Sequence, residues 1–219
     1  MKKNEIFKNP YAVFDFDGTL VDSNEAFIEI LSDFFTSNFS RLRPELIEEA
    51  KTMDMEQTCR AVKKWTGTFA SVEEIANILE SRAADFYNNK VELKPGAKAF
   101  VQALIALGAR LCIASATDED TIQGVLRRLG MDSCFEFIVT VPQVGAAKDK
   151  PDIFLEAARR FGNPNHSEIT VYDDSLEALK SAMSVGMRTV CVYDAAGDTT
   201  GARQFCDAYI DSFEEITYR

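Results

Sequence analysis

The chain has 219 residues, 46% hydrophobic and 27% charged, a balance that suits a folded protein large enough for one α/β domain carrying an insertion. A net charge of −11 with no basic face in the sequence argues against a general nucleic-acid binder, and an anionic substrate would have to meet local cations. No run is long and apolar enough for a membrane span, and the segment before Tyr11 lacks a signal-peptide core, so a cytoplasmic protein with no nucleic-acid or membrane partner is expected.

Tyr11–Asp15 is an apolar run ending in carboxylates and reads as a buried first strand. The interval Ser23–Val91 has no strand pattern and reads as helices. Asn24–Phe35 sets Phe27, Ile30, Leu31, Phe34 and Phe35 along one side; Pro44–Ala50 starts a second helix, and Thr58–Trp65 is a third. Ser71 and Glu74 form the capping box of a longer helix, with Ile75, Ile78, Leu79 and Phe86 inward. Trp65 belongs to the core of this helical segment, with stacking on a substrate as the alternative.

From Pro95 onward the pattern changes. Helical segments Pro95–Leu107, Asp118–Leu129, Asp152–Phe161 and Ser175–Val185 alternate with strands Arg110–Ser115, Phe137–Thr140, Ile169–Tyr172 and Thr189–Val192, and Gly108, Gly130, Gly162 and Gly186 mark helix ends. Pro95 suits a helix start, as does Thr117 with Asp120 following. This alternation implies a mostly parallel sheet with helices on both faces. The expected organisation is an α/β core of residues 1–22 and 92–219, interrupted by an all-α insert of residues 23–91. Five scattered cysteines without a C-x-x-C pair exclude a disulfide framework or structural zinc site, and Cys112 and Cys191 read as small buried hydrophobes. The single histidine, His166, sits in a polar loop and is assigned no chemistry.

In open α/β sheets ligands bind beyond the carboxyl ends of the strands. The first strand ends Asp15-Phe16-Asp17-Gly18-Thr19-Leu20. Two carboxylates leaving a buried strand are costly without a cation, and Mg²⁺, which takes carboxylates, carbonyls, water and phosphate oxygens, supplies one. Asp15 can attack phosphorus to form an aspartyl-phosphate; Asp17 can protonate the leaving oxygen and then deprotonate water. The alternative is a strand end with solvated aspartates. Ser115 and the N–H groups that follow, Ala116 first, suit a phosphoryl oxygen at a helix N-terminus; helix capping by Ser115 or Thr117 competes. Lys148-Asp149-Lys150 offers a lysine to offset charge between nucleophile and phosphoryl group, against a solvated loop. Asp173-Asp174-Ser175 adds an acidic pair, against a capped helix start. All four lie at strand ends, in order, which separate bland explanations do not account for.

On these residues the chain resembles the haloacid dehalogenase-like hydrolase superfamily over essentially its whole length, in the branch of helical-cap phosphatases and β-phosphoglucomutase-like proteins. Asp15 to Leu20 is similar to the first motif and Ser115 to the second. Lys148, with Lys150 as runner-up, is similar to the third by its spacing to Pro151-Asp152-Ile153-Phe154, and Asp173-Asp174-Ser175 to the fourth. The resemblance implies a Rossmann-like parallel-sheet core whose helical cap gates the site. It implies Mg²⁺ held by Asp15, the backbone carbonyl of Asp17 and Asp174, with Asp173 a close partner. It also implies Ser115, Ala116 and Lys148 at the phosphate, and Asp15, Asp17 and Lys148 as the catalytic set. The founding dehalogenases lack the second aspartate; its presence here as Asp17 favours phosphoryl transfer.

The expected activity is Mg²⁺-dependent hydrolysis of a small phosphate monoester. One alternative is a sugar-phosphate mutase of the β-phosphoglucomutase type, whose Leu-Lys-Gly cap pattern is not evident in Met53–Lys64. Another is a catalytically silent ligand-binding protein, which would not need Asp15, Asp17, Lys148 and Asp174 together. The expected partner is a small phosphorylated metabolite, met by cations among Arg41, Arg43, Lys51, Arg60, Lys63 and Lys64 unless these form a solvated face. A monomer or weak homodimer is expected.

Overall fold

The computed structural model describes residues 9–38, 49, 55–68, 70–195 and 201–216. Along the strands, Val13, Cys112, Val139 and Val171 alternate with Phe14, Ile113, Ile138 and Tyr172, and both sets are buried. Successive side chains point to opposite faces of a sheet, so strands apolar at every position need cover on both sides. The strands are β1 (Tyr11–Phe14), β2 (Arg110–Ser115), β3 (Phe137–Thr140), β4 (Ile169–Asp173), β5 (Arg188–Val192) and β6 (Ala208–Ile210). They form a six-stranded sheet in the order β3-β2-β1-β4-β5-β6, with every pairing parallel. This is the Rossmann-like α/β arrangement expected, with its topological switch between β1 and β4.

The chain divides into two compact units, Met1–Asn24 with Val91–Arg219, and Glu25–Lys90. The second unit is helical, holding α1 (Asn24–Asn38) from its second residue on, α2 (Met55–Thr66) and α3 (Val72–Asn89). Its core is Leu31, Phe34, Phe35, Cys59, Val62, Ile75 and Leu79, and Trp65 packs against it as expected for a core residue. Ser71 Oγ accepts the Glu74 N–H at 3.0 Å and Glu74 returns a carboxylate to the Ser71 N–H, so the capping box opens α3. Ile78, expected inward, is 40% exposed. Of the expected Pro44–Ala50 helix only Glu49 is among the described residues, and it is helical.

In the sheet unit, α4 (Ala97–Ala106) and α5 (Glu119–Leu129) follow, then a single turn α6 (Val141–Val144), α7 (Asp152–Arg160), α8 (Leu176–Ser184) and the short α9 (Ala202–Phe205). Ile153, Phe154 and Ala157 of α7 and Leu179 and Ala182 of α8 share one buried cluster with Val13, Ala114 and Val171. On the other strand positions, Phe14 stacks on Tyr172 at 4.4 Å between ring centroids, and Phe100 of α4 meets both edge-on. None of the described helices is long and apolar enough to cross a membrane.

Some boundaries differ from expectation. α4 begins at Ala97 rather than Pro95, because Gly96 takes a left-handed φ of 80° at the N-cap. The cap of α5 is Asp118, whose side chain accepts the Thr121 N–H at 2.9 Å; Thr117 is committed elsewhere. β6 is too short for a period to show, whereas α6 is marked by a capping box of Thr140 and Gln143, Pro142 in its first turn and Gly145 at its end, which the strand-and-helix alternation passed over. Within the polar loop that holds it, His166 opens a 3-10 turn, His166–Glu168.

Candidate active site

Register brings the carboxylates together. Phe14 of β1 is level with Tyr172 of β4, and the Asp15 N–H donates to the Tyr172 carbonyl at 2.8 Å. Asp15 and Asp173, one step further along parallel neighbours, therefore emerge side by side. Asp15, Asp173 and Asp174 are all buried, and one carboxylate oxygen from each lies within 4.8 Å of the others. Lys148 Nζ bridges two of them, 2.7 Å from Asp15 Oδ1 and 2.5 Å from Asp173 Oδ2. Lys150, the other lysine considered, is exposed.

The first-strand motif folds back on itself. Val21 and Leu20 donate their N–H groups to the Phe16 carbonyl, and Gly18, at φ 69°, donates to the Val21 carbonyl at 3.0 Å. A Cβ on Gly18 would lie 2.5 Å from Asp174 Oδ2, so glycine admits both the turn and the carboxylate above it. Thr19 Oγ1 sits between Asp15 Oδ2 (3.5 Å) and Asp174 Oδ1 (3.4 Å). Asp17 is held at both oxygens, Oδ1 accepting from Ser23 Oγ at 2.6 Å and Oδ2 from Thr117 Oγ1 at 2.5 Å. Ser115 is buried at the end of β2, and its Oγ accepts the Thr117 N–H at 3.1 Å, while Ala116 between them is exposed.

The electrostatics follow from burial. Desolvation pushes the Asp15 carboxyl well above its usual range; Lys148 opposes this, and Asp173, Asp174 and Asp17 add to it. Desolvation and then Asp173 and Asp194 push Asp174 up to about 6. Burial works against the Lys148 charge, yet Asp15 and Asp173 outweigh it and hold its pKa above the ordinary value. Three carboxylates against one ammonium leave two negative charges unbalanced, the charge of one divalent cation, and all-oxygen donors suit a hard ion. The residues therefore fit a divalent metal.

Sequence reasoning missed three supports. Asn24 Nδ2 donates to Asp174 Oδ2 at 2.9 Å and to Asp194 Oδ1 at 3.1 Å, and Lys94 Nζ pairs with Asp194 Oδ2 at 2.7 Å. Asp194 lies just past β5, so the strand-end rule applied to that strand would have found it. Of the cations considered for substrate, Arg60 pairs with Glu56 at 2.5 Å, Lys63 Nζ donates to the Ala70 carbonyl at 2.9 Å, and Lys64 is exposed. Arg41, Arg43 and Lys51 lie outside the described residues.

The family model described as haloacid dehalogenase-like hydrolase matches residues 12–192, from β1 through β5. The chain belongs to that family. Among relatives of this hydrolase, the Bacillus subtilis protein YhcW, assigned as a phosphatase, is 27% identical over 198 residues, covering 89% of this chain and 87% of its own. The pyrophosphatase PpaX of Halalkalibacterium halodurans is 24% identical over 208 residues, with 90% of each chain covered. A Thermotoga maritima structure assigned as a β-phosphoglucomutase superposes with a TM-score of 0.83 at 19% identity, covering 93% of this chain and 95% of that one. The hydrolase thus has the fold of the β-phosphoglucomutase-like branch.

Proposed function

We propose that this hydrolase cleaves a small phosphate monoester by way of a phosphoryl group carried on Asp15, with Mg²⁺ as its cofactor. The observation that carries the reading is Lys148 Nζ set between Asp15 Oδ1 and Asp173 Oδ2, at 2.7 and 2.5 Å, inside a buried carboxylate trio. Mg²⁺ held by Asp15, Asp174 and the Asp17 carbonyl, with Asp173 alongside, would neutralise charge on the phosphoryl oxygens. Ser115 Oγ and the Ala116 N–H receive those oxygens, and Lys148, kept protonated by its two carboxylates, offsets the charge that builds between nucleophile and phosphorus.

Asp15 attacks phosphorus as the bond to the leaving alkoxide breaks, and Asp17 gives that alkoxide its proton. Asp17, now ionised, takes a proton from the water that attacks the same phosphorus, which releases inorganic phosphate and restores Asp15. Ser23 and Thr117 hold the Asp17 carboxyl in place for both transfers. The likeness to YhcW and PpaX, named as a phosphatase and a pyrophosphatase, supports a phosphorylated metabolite as substrate. The helical unit, Glu25–Lys90, is assigned the choice of ester, in the role of a cap.

Purified protein is expected to release phosphate from p-nitrophenyl phosphate with Mg²⁺, and EDTA to stop it. Asp15→Asn is expected to lower turnover by at least ~10³-fold while the protein stays folded. Near-normal turnover of that variant would remove Asp15 as the nucleophile. Conversion of β-glucose 1-phosphate to the 6-phosphate, primed by a bisphosphate, would move the reading to a mutase. A folded, Mg²⁺-binding protein inert across a broad ester panel would move it to a silent binder.

A further inference from the structure

We infer that Asn24 is a positioning residue for Asp174, and that Asp194, paired with Lys94, sets the direction in which the Asn24 amide points. The inference rests on the reading of Asp174 as a metal ligand. Asn24 Nδ2 lies 2.9 Å from Asp174 Oδ2 and 3.1 Å from Asp194 Oδ1. Ionised carboxylates only accept hydrogen bonds, so an amide between two of them must present its NH₂ end to both. Both Nδ2 hydrogens are then in use, and the amide cannot be turned end for end without placing its oxygen against two acids.

Asp194 would be a costly residue without compensation, its side chain being 3% exposed. Lys94 Nζ supplies it, 2.7 Å from Asp194 Oδ2 and 2.7 Å from the Tyr193 carbonyl. The ammonium balances Asp194, so the second acid directs Asn24 with its own charge already matched. Gly18 leaves the room that this contact needs: a Cβ there would stand 2.1 Å from Asn24 Nδ2 and 2.5 Å from Asp174 Oδ2. The chain Lys94–Asp194–Asn24–Asp174 therefore holds one oxygen of Asp174 by a neutral donor and fixes the carboxylate's orientation towards Asp15 and Asp173. Partners that orient metal ligands contribute to affinity without touching the metal.

The test is calorimetric titration of the EDTA-stripped full chain with Mg²⁺ alone, without substrate. Asn24→Ala is expected to weaken binding by roughly 10–100-fold, with the metal-free melting temperature within about 4 °C of the parent. Asn24→Ser, which can donate one hydrogen bond instead of two, is expected to fall between parent and alanine, and serves if the alanine protein does not fold. Asp194→Asn is expected to weaken binding as well, because the second N–H of the Asn24 amide loses the charged acceptor that holds it in place. The double variant should bind no more weakly than Asn24→Ala alone, since the effect of Asp194 runs through Asn24. A parent chain with no Mg²⁺ affinity would overturn the metal reading and this inference with it. A parent that binds, beside an Asn24→Ala protein within about twofold of it or a double variant whose losses add, would overturn the inference alone.

Discussion

Asp174 and Asp15 are the buried carboxyls at which protonation and stability meet. Burial, reinforced by Asp173 and Asp194, lifts Asp174 to about 6, and burial lifts Asp15 well above its usual range. A carboxyl whose pKa is raised on folding contributes stability that is complete below its unfolded value, near 4, and is lost as pH rises through the folded value. The metal-free protein should therefore lose roughly 1–3 kcal/mol from Asp174 between about pH 4 and 7. Mg²⁺ held as proposed would compete with the same protons, so the rise in melting temperature at saturating Mg²⁺ should be several degrees larger at about pH 7.5 than at pH 5. An equal rise at both pH values, measured by scanning calorimetry, would count against Asp174 as a ligand. Asp15, Asp173 and Asp174 were legible in the sequence, because each ends or follows an apolar strand and a buried charge at a strand end needs a reason, whereas Lys148, in the loop beyond α6, was legible only from its spacing to Pro151-Asp152. Asn24 and Lys94 were not, because a single polar residue in a helical or turn segment has a bland explanation until its partner is seen.

At the scale of elements, Gly96 shows where propensity yields to packing. Proline at position 95 marks a helix start, yet the chain needs one more residue with positive φ before α4 because the Phe213–Glu215 turn lies against it. A Cβ on Gly96 would stand 2.6 Å from the Glu214 backbone nitrogen, and backbone cannot step aside as a side chain can. Gly96→Ala should destabilise the protein by more than about 1 kcal/mol in denaturant titrations. A neutral substitution would mean that the turn is not held there. β6 escaped notice for a related reason. Its Ala208-Tyr209-Ile210 run is too short for a period to show, and its place beside β5 is secured by Asp207, which accepts from Arg188 at 2.9 Å and from the Thr189 N–H at 2.9 Å. Thr117 was legible as a helix-start residue, but the neighbouring Asp118 takes the cap and leaves the Thr117 hydroxyl to Asp17.

Over the whole molecule, the two compact units have separate hydrophobic cores. Leu79→Ala, at a fully buried position of α3, should cost about 2–5 kcal/mol and raise amide exchange across α1 to α3, while β1, β2 and β4 keep their protection. Loss of protection in the sheet to the same degree would show that the units unfold as one. What the sequence determined by itself is the parallel α/β core, the helical interval after the first strand and the strand-end acids with their lysine. These follow from local periodicity and from the cost of charge beside apolar runs, which neighbouring residues along the chain already express. Only the tertiary structure decided which acids share a site. That depends on the order β3-β2-β1-β4-β5-β6, which sets residues 15 and 173 side by side across parallel neighbours, and on a register in which Phe14 faces Tyr172. The β1–β4 pairing that decides both joins elements more than a hundred residues apart along the chain, where no local pattern carries the information.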